Sequence, residues 1–293
     1  MPAEATPAVA FCGIGLMGSR MARRLLEAGI PVNAWNRDPA GSRELARHGA
    51  AVAASPAGAA TGAAVAITML ATPDAVREAV FGPDGVAAAR PDVLIQMSTV
   101  GPADTLGIRE RLPADVDLVD APVLGGTAEA AAGRLRILAA GDPVVVDRCR
   151  SLLAPLGETV HVGPTGAGSA LKQVVNAAVA PMVALLAEAV ALGRRLGLDQ
   201  DLVLDELERS RIGPLVQRKR SRIERGEYPA DVRLATFGKD MRLVEQAGRE
   251  RGVPMRMAAT ARGLAEEAAA AGLGRCDYSV LVAHAQAEAA GCD

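Results

Sequence analysis

Two groups of residues carry chemistry by type and spacing. Gly13-Ile14-Gly15-Leu16-Met17-Gly18 follows a short apolar run and opens a helical pattern, Ser19 to Ala28. In such a turn the first glycine allows the tight bend, the second lets the backbone approach a pyrophosphate, and the third lets helix pack on strand. The phosphates would then sit on the unpaired amides of a helix N-terminus. The second group is Lys172 and Asn176, four apart and so on one face of a helix, among almost wholly apolar neighbours. A lysine in that setting either snorkels to solvent or is held in a pocket, where its proton becomes useful.

The end of the second apolar run decides which nucleotide the glycine turn accepts. A carboxylate there would grip a free ribose 2′-hydroxyl and repel a 2′-phosphate. Asn36 and Arg37 stand at that place. A neutral amide followed by a guanidinium favours NADP(H) over NAD(H), because arginine pairs with phosphate and stacks on adenine. Asp38 follows and would blunt the preference.

These groups need a scaffold. Apolar runs at Val9 to Cys12, Pro31 to Trp35, Val65 to Leu70, Val93 to Met97, Leu118 to Ala121, Arg136 to Ala139 and Thr159 to Val162 alternate with helical patterns. That alternation implies a largely parallel sheet covered on both faces. After Gly168 the pattern is helical throughout, beginning with one long helix from Ala170 to Leu196. The expected architecture is a doubly wound α/β domain of the Rossmann type, residues 1–165, followed by an all-α domain, residues 166–293, that starts with a long interdomain helix. The segment GPTGAGS, Gly163 to Ser169, punctuates the junction. The alanine-rich stretches Ala50 to Ala66 and Ala265 to Ala271 read as closely packed helices.

Composition removes several function classes. With 32 Lys+Arg against 34 Asp+Glu, the net charge of -2 gives no whole-chain attraction to nucleic acid. Aromatic residues are only 2%, too few for a base-stacking platform. Seven basic residues from Arg209 to Arg225 read as a solvated helix face, with Glu208, Glu224 and Glu227 close enough to compensate. His48, His161 and His284 have no ligand-spaced companions, so no metal site is expected. Cys12, Cys149, Cys276 and Cys292 form no C-x-x-C pair, which fits a reduced cytoplasmic setting. Met1 to Pro7 show no secretory signal, and the longest apolar stretch, Ala177 to Ala187, contains Pro181 and is too short to span a bilayer. Neither nucleic acid nor a membrane is therefore an expected partner.

Four further motifs recur with the glycine turn: MSTV at Met97 to Val100, DAPVLGG at Asp120 to Gly126, GAGSALKQVVN at Gly166 to Asn176 and FGKDM around Lys239-Asp240. Together they resemble the β-hydroxyacid dehydrogenases, a family that includes 3-hydroxyisobutyrate dehydrogenase, tartronate semialdehyde reductase and the glyoxylate/succinic semialdehyde reductases. The resemblance implies that Lys172 is the catalytic lysine and Asn176 its partner in holding substrate. It implies that Thr99 and Leu70 contact the dinucleotide, and that Lys239 reaches the cofactor side of the cleft with Asp240 beside the pocket. It further implies that the backbone amides of Gly125 and Gly126 receive a substrate carboxylate, next to Thr127, and that the protein is a homodimer or homotetramer.

Hydride reduction of a carbonyl builds negative charge on oxygen, and a nearby ammonium stabilises that charge and delivers the proton. In the oxidative direction the lysine must be neutral. Moving it from its ordinary value near 10.4 to about 7–8 requires roughly 3–4 kcal/mol of preferential destabilisation of the charged form. An apolar helix face, Lys239 and a positive nicotinamide all act in that direction.

The chain departs from the family pattern at three places. Leu124 replaces the serine of the carboxylate loop, Val232 stands where phenylalanine is common, and Arg24 replaces an asparagine. Two substrate-facing positions are thus more apolar or smaller. Imine reductases share the architecture but typically lack the lysine; 6-phosphogluconate dehydrogenases are longer and need arginines with no counterpart here. A non-catalytic NADP-binding module is the remaining alternative.

Overall fold

A computed structural model describes residues 8–290. Cys292 and the segment Met1 to Pro7 lie outside the described residues. The chain divides into two compact units, residues 1–172 and 173–293. The division falls one turn inside the helix Ala167–Val179 because that helix's first turn is bonded to the sheet, as described below.

The first unit is built on nine strands: β1 Val9–Cys12, β2 Val32–Trp35, β3 Ala51–Val52, β4 Val65–Thr68, β5 Val93–Gln96, β6 Asp117–Asp120, β7 Val123–Leu124, β8 Leu135–Ala140 and β9 Gly157–Gly163. Their order is β3-β2-β1-β4-β5-β6-β8-β7, with β9 on β8. Strands β1 to β6 are parallel, with Val9 opposite Val32 on one side and Val65 on the other. The order reverses at β1, which leaves a crevice at its carboxyl end, the usual ligand position in an open α/β sheet. The far edge departs from the expected parallel pattern: β8 runs antiparallel to β6 and β7. The alanine-rich stretch after Ala50 likewise begins with a strand, β3, before the short helix Pro56–Ala60.

Both faces of the sheet are covered, as its residue types require. Along β1, Val9 and Phe11 enter one buried cluster with Met21, Leu25, Val145 and Leu153. Ala10 and Cys12 enter the opposite cluster with Ala59, Val76, Val80 and Ile108. The two-residue alternation sends successive side chains to opposite faces, and small residues admit the closely packed helices.

The second unit is helical. The expected single helix from Ala170 to Leu196 is two segments, Ala167–Val179 and Met182–Arg195, separated at Ala180-Pro181 where proline supplies no amide for the ladder. Taken together, residues 167–195 are long and apolar enough to cross a membrane by length and composition, which corrects the expectation from the shorter stretch. Val183, Leu186, Ala187 and Val190 of this run are instead packed into the core of the second unit with Leu204, Val216, Phe237, Met241 and Val282.

The basic stretch also differs from expectation at one position. Arg220 does pair with Asp205, Glu208 and Glu224 near the surface. Lys219, however, is buried at 1% exposure, with Nζ 3.0 Å from Asp277 and 3.5 Å from Asp231, and 4.3 Å above the Tyr278 ring. It falls on the apolar stripe of the helix Gly213–Arg225, with Val216 and Ile223. Asp277 accepts further from the amides of Asp231, Val232 and Ser279. Burial alone pushes the Asp277 carboxyl up, but the Lys219 charge and the Ser279 bonds outweigh it and hold the group below the ordinary carboxylate range.

Because Asp277 is lowered in the folded state, its contribution to stability is present above the unfolded carboxylate value and is lost as pH falls through the folded one. Chemical denaturation should therefore show a stability loss at acid pH that Asp277→Asn diminishes. Lys219→Met leaves a buried charge unpaired and should cost about 3–5 kcal/mol at neutral pH; an unchanged denaturation midpoint would show the pair to be unimportant.

Candidate active site

The crevice at the carboxyl end of β1 is formed by the glycine turn. Gly13 has φ +111, and a Cβ there would lie 2.3 Å from the Met69 carbonyl oxygen and 2.9 Å from Leu70 Cδ2. A Cβ on Gly18 would lie 1.9 Å from the Gly13 carbonyl oxygen, so the helix Leu16–Glu27 starts in direct contact with the turn. Gly15 is different: no atom comes within 4 Å of its Cβ position. The turn therefore offers open backbone in front of a helix N-terminus whose first turn carries no acidic residue, a cradle that fits a pyrophosphate. Ile14 is buried in the sheet core and Met17 packs against it.

Neighbouring strand ends hold this turn in place. The Ile14 amide donates to Asn36 Oδ1 at 3.0 Å, and Asn36 Nδ2 donates to the Asp38 carbonyl at 2.7 Å. Asn36 thus shapes the turn with the group expected to meet the nucleotide. Arg37 is exposed, while the Asp38 carboxylate accepts from the Ala40 amide at 3.0 Å and caps the helix Pro39–Ala46. The Leu70 amide donates to Ser98 Oγ at 2.9 Å, tying the end of β4 to the MSTV segment in which Thr99 is half-buried. Arg24 points elsewhere: it pairs with Glu27 at 2.9 Å and lies against Gly133.

On the same sheet, the end of β6 captures the start of the lysine-bearing helix. Asp120, fully buried, accepts the Ser169 amide at 2.8 Å and the Ser169 hydroxyl at 2.7 Å, and Thr105 Oγ1 lies 2.8 Å from Ser169 Oγ. Burial pushes the Asp120 carboxyl above its ordinary range, against the lowering pull of Ser169 and the Gly166 and Gly168 amides. Gly168 permits the approach, since a Cβ there would stand 2.5 Å from the Leu138 carbonyl oxygen. Lys172, one turn further on and half-buried, donates from Nζ to the Val123 carbonyl at 2.8 Å. That carbonyl immediately precedes Leu124, Gly125, Gly126 and Thr127.

The carboxylate loop departs from expectation at one amide. Gly125 is exposed with φ +127, but the Gly126 amide donates to Glu129 Oε2 at 2.7 Å in a capping box that starts the helix Thr127–Ala131.

In the second unit, Asn176 Nδ2 lies 3.5 Å from Asp240 Oδ2, and Lys239 Nζ lies 2.6 Å from Asp240 Oδ1. Lys239 is thus part of an ion pair within the second unit. Val232 is fixed by its backbone, which donates to Asp277 and accepts from the Tyr278 amide at 2.9 Å.

Residues 8–163 match the NAD binding domain of 6-phosphogluconate dehydrogenase, and residues 166–285 match the NAD-binding family of NADP-dependent 3-hydroxyisobutyrate dehydrogenase. Glyoxylate/succinic semialdehyde reductase 1 of Arabidopsis thaliana is 33% identical over 279 residues, covering 94% of this chain and 96% of the relative. The chain belongs to the β-hydroxyacid dehydrogenase family. To 2-(hydroxymethyl)glutarate dehydrogenase of Eubacterium barkeri this β-hydroxyacid dehydrogenase is 32% identical over 280 residues, covering 94% and 93% of the two chains. A crystal structure of 3-hydroxyisobutyrate dehydrogenase from Salmonella typhimurium superposes with a TM-score of 0.84 at 28% identity, covering 94% of this chain and 99% of that one.

In this β-hydroxyacid dehydrogenase the bonded group Asp120, Ser169 and Thr105 was not expected from the sequence. Asp120 and Ser169 stand inside the DAPVLGG and GAGSALKQVVN motifs, but only a carboxylate ending an apolar strand and a hydroxyl just inside a helix start hint that they bond to each other. Asp120→Ala should leave buried donors unsatisfied and destabilise the protein by about 1–3 kcal/mol, read by denaturant titration. The glycine turn gives a sharper contrast. Gly15→Ala should fold normally yet bind dinucleotide at least about tenfold more weakly because the added methyl faces the cradle, whereas Gly18→Ala should lose stability as well. Equal dinucleotide affinity in Gly15→Ala and wild type would contradict this placement.

Proposed function

We propose that this β-hydroxyacid dehydrogenase uses NADP(H) to interconvert a small aldehyde or keto acid and its hydroxy acid, with Lys172 as the acid/base. The observation that carries the reading is the Lys172 ammonium held 2.8 Å from the Val123 carbonyl, beside the loop Leu124 to Thr127, on a helix whose first turn is bonded to Asp120. Bound NADPH would supply the hydride. The chain's part is to orient the carbonyl and manage its oxygen.

The ammonium of Lys172 carries three N–H donors, one of which is directed at the Val123 carbonyl. As negative charge grows on the substrate's carbonyl oxygen the ammonium stabilises it, then transfers a proton to give the alcohol. In reverse, neutral Lys172 takes the hydroxyl proton. Asn176, a turn further along the helix and bonded to Asp240, supplies an amide to hold substrate. The family resemblance assigns Leu124, Gly125, Gly126, Thr127, Val232 and Asp240 to substrate, and the glycine turn, Asn36, Arg37, Leu70, Thr99 and Lys239 to cofactor. NADP(H) is favoured because Arg37 is exposed while the neighbouring Asp38 carboxylate is engaged as a helix cap.

The same reading includes a homodimer or homotetramer in a reducing cytoplasm, without a membrane or nucleic-acid partner. Support for association comes from the long helical run, where Val174, Val179, Leu185 and Leu192 are 65%, 57%, 47% and 60% exposed. The thiols of Cys12 and Cys149, pushed up by burial to about 12 and about 11, suit a setting without disulfides. Leu124 and Val232 also suit the larger apolar substrates of an imine reductase, but Lys172 opposes that alternative.

NADPH oxidation should be followed with glyoxylate, succinic semialdehyde, tartronate semialdehyde and a cyclic imine. Turnover of at least one aldehyde is expected, and Lys172→Ala should lower it by about 10²–10⁴-fold while NADPH still binds. Full activity in that variant would remove Lys172 from the mechanism, and turnover of the imine alone would favour the alternative.

A further inference from the structure

The loop that follows Val123 is expected to hold a substrate carboxylate through its backbone amides. In this chain one of those amides already has an anionic partner. The Gly126 N–H donates to Glu129 Oε2 at 2.7 Å, and Glu129 is half-buried at the third position of the helix Thr127–Ala131. The glutamate is held against the loop along its length, since a Cβ on Gly125 would meet Glu129 Cβ at 3.0 Å and Cγ at 3.4 Å. At Leu124 the chain adds an apolar side chain where a hydroxyl donor would help an anion.

We infer that Glu129 is a specificity-determining residue that sets this loop against a carboxylate adjacent to the reacting carbon. Two effects act together. The charge-assisted bond to Glu129 removes a strong donor from the set available to substrate. The negative charge 2.7 Å from the Gly126 amide also repels a second carboxylate brought to the loop, in a half-buried place where screening is weak. Glyoxylate, whose acid group is attached directly to the carbonyl, meets both effects in full. A semialdehyde with its acid group further along the chain, or a carbonyl compound without one, avoids them. The inference rests on the placement of the carbonyl site beside Lys172, and it deepens that reading by naming the substrate class the loop selects against.

The test separates binding from turnover. Glycolate binding to the NADP+-loaded protein is measured by calorimetry for wild type, Glu129→Gln and Glu129→Ala. Glutamine preserves the capping box and the shape but removes the charge; alanine frees the Gly126 amide as well. Glycolate should bind about tenfold more tightly to Glu129→Ala than to wild type, with Glu129→Gln between them, an effect of the size expected for one charge-assisted bond. In reduction assays with the same proteins, the ratio of kcat/KM for glyoxylate over succinic semialdehyde should rise in the same order, mainly through KM. Equal glycolate affinities in the three proteins, or no binding to any of them, would overturn the inference. Loss of turnover with the affinity series intact would instead count against the catalytic reading alone.

Discussion

One buried carboxylate, Asp120, positions the helix that carries Lys172. Asp120 ends the sixth parallel strand and receives the first turn of the helix that carries Lys172, through the amide and hydroxyl of Ser169. Burying that carboxylate is unfavourable, as its upward-shifted titration shows, and the amides aimed at it are what make the position tolerable. The interaction fixes where the helix begins, and the helical rise then fixes where Lys172 projects. A hydrogen bond to Val123 completes the placement within the same unit. The Lys172 amine is therefore positioned from the sheet, and the loop Leu124 to Thr127 leaves the short strand β7 that follows Asp120.

The glycine turn follows a similar logic at the other side of the switch point. Gly13 and Gly18 are required by contacts, Gly15 by the lack of one. The division of labour read from the spacing is visible in the distances. Side-chain roles were less legible. Asn36 serves the turn itself by accepting from Ile14, and Asp38 serves a helix cap, so Arg37 is left as the exposed charge. A linear pattern places such residues near the nucleotide but does not say which of their atoms are already engaged.

The parallel strands were legible because apolar runs of buried strands and the helical patterns between them have different periods. The antiparallel edge was not, because β7 has only two residues and direction leaves no trace in composition. Pro181 was visible as a break but its effect on the long helix was not anticipated. Lys219 shows a different failure. Its charge places it with six other basic residues on a solvated face, whereas its spacing from Val216 and Ile223 places it in the core. Spacing was the better guide, and the partner that permits burial, Asp277, lies 58 residues away along the chain. The Gly126 to Glu129 bond was hidden for the opposite reason. The two residues are local, but without a serine or threonine at the cap the usual signature of a capping box was missing.

The most direct test of the central claim is a crystal structure of the protein with NADP+ and a bound hydroxy acid that it turns over. The account predicts Lys172 Nζ within about 2.6–3.2 Å of the substrate hydroxyl oxygen while it still bonds to the Val123 carbonyl. A structure with the substrate hydroxyl held by other groups and Lys172 turned to solvent would contradict it.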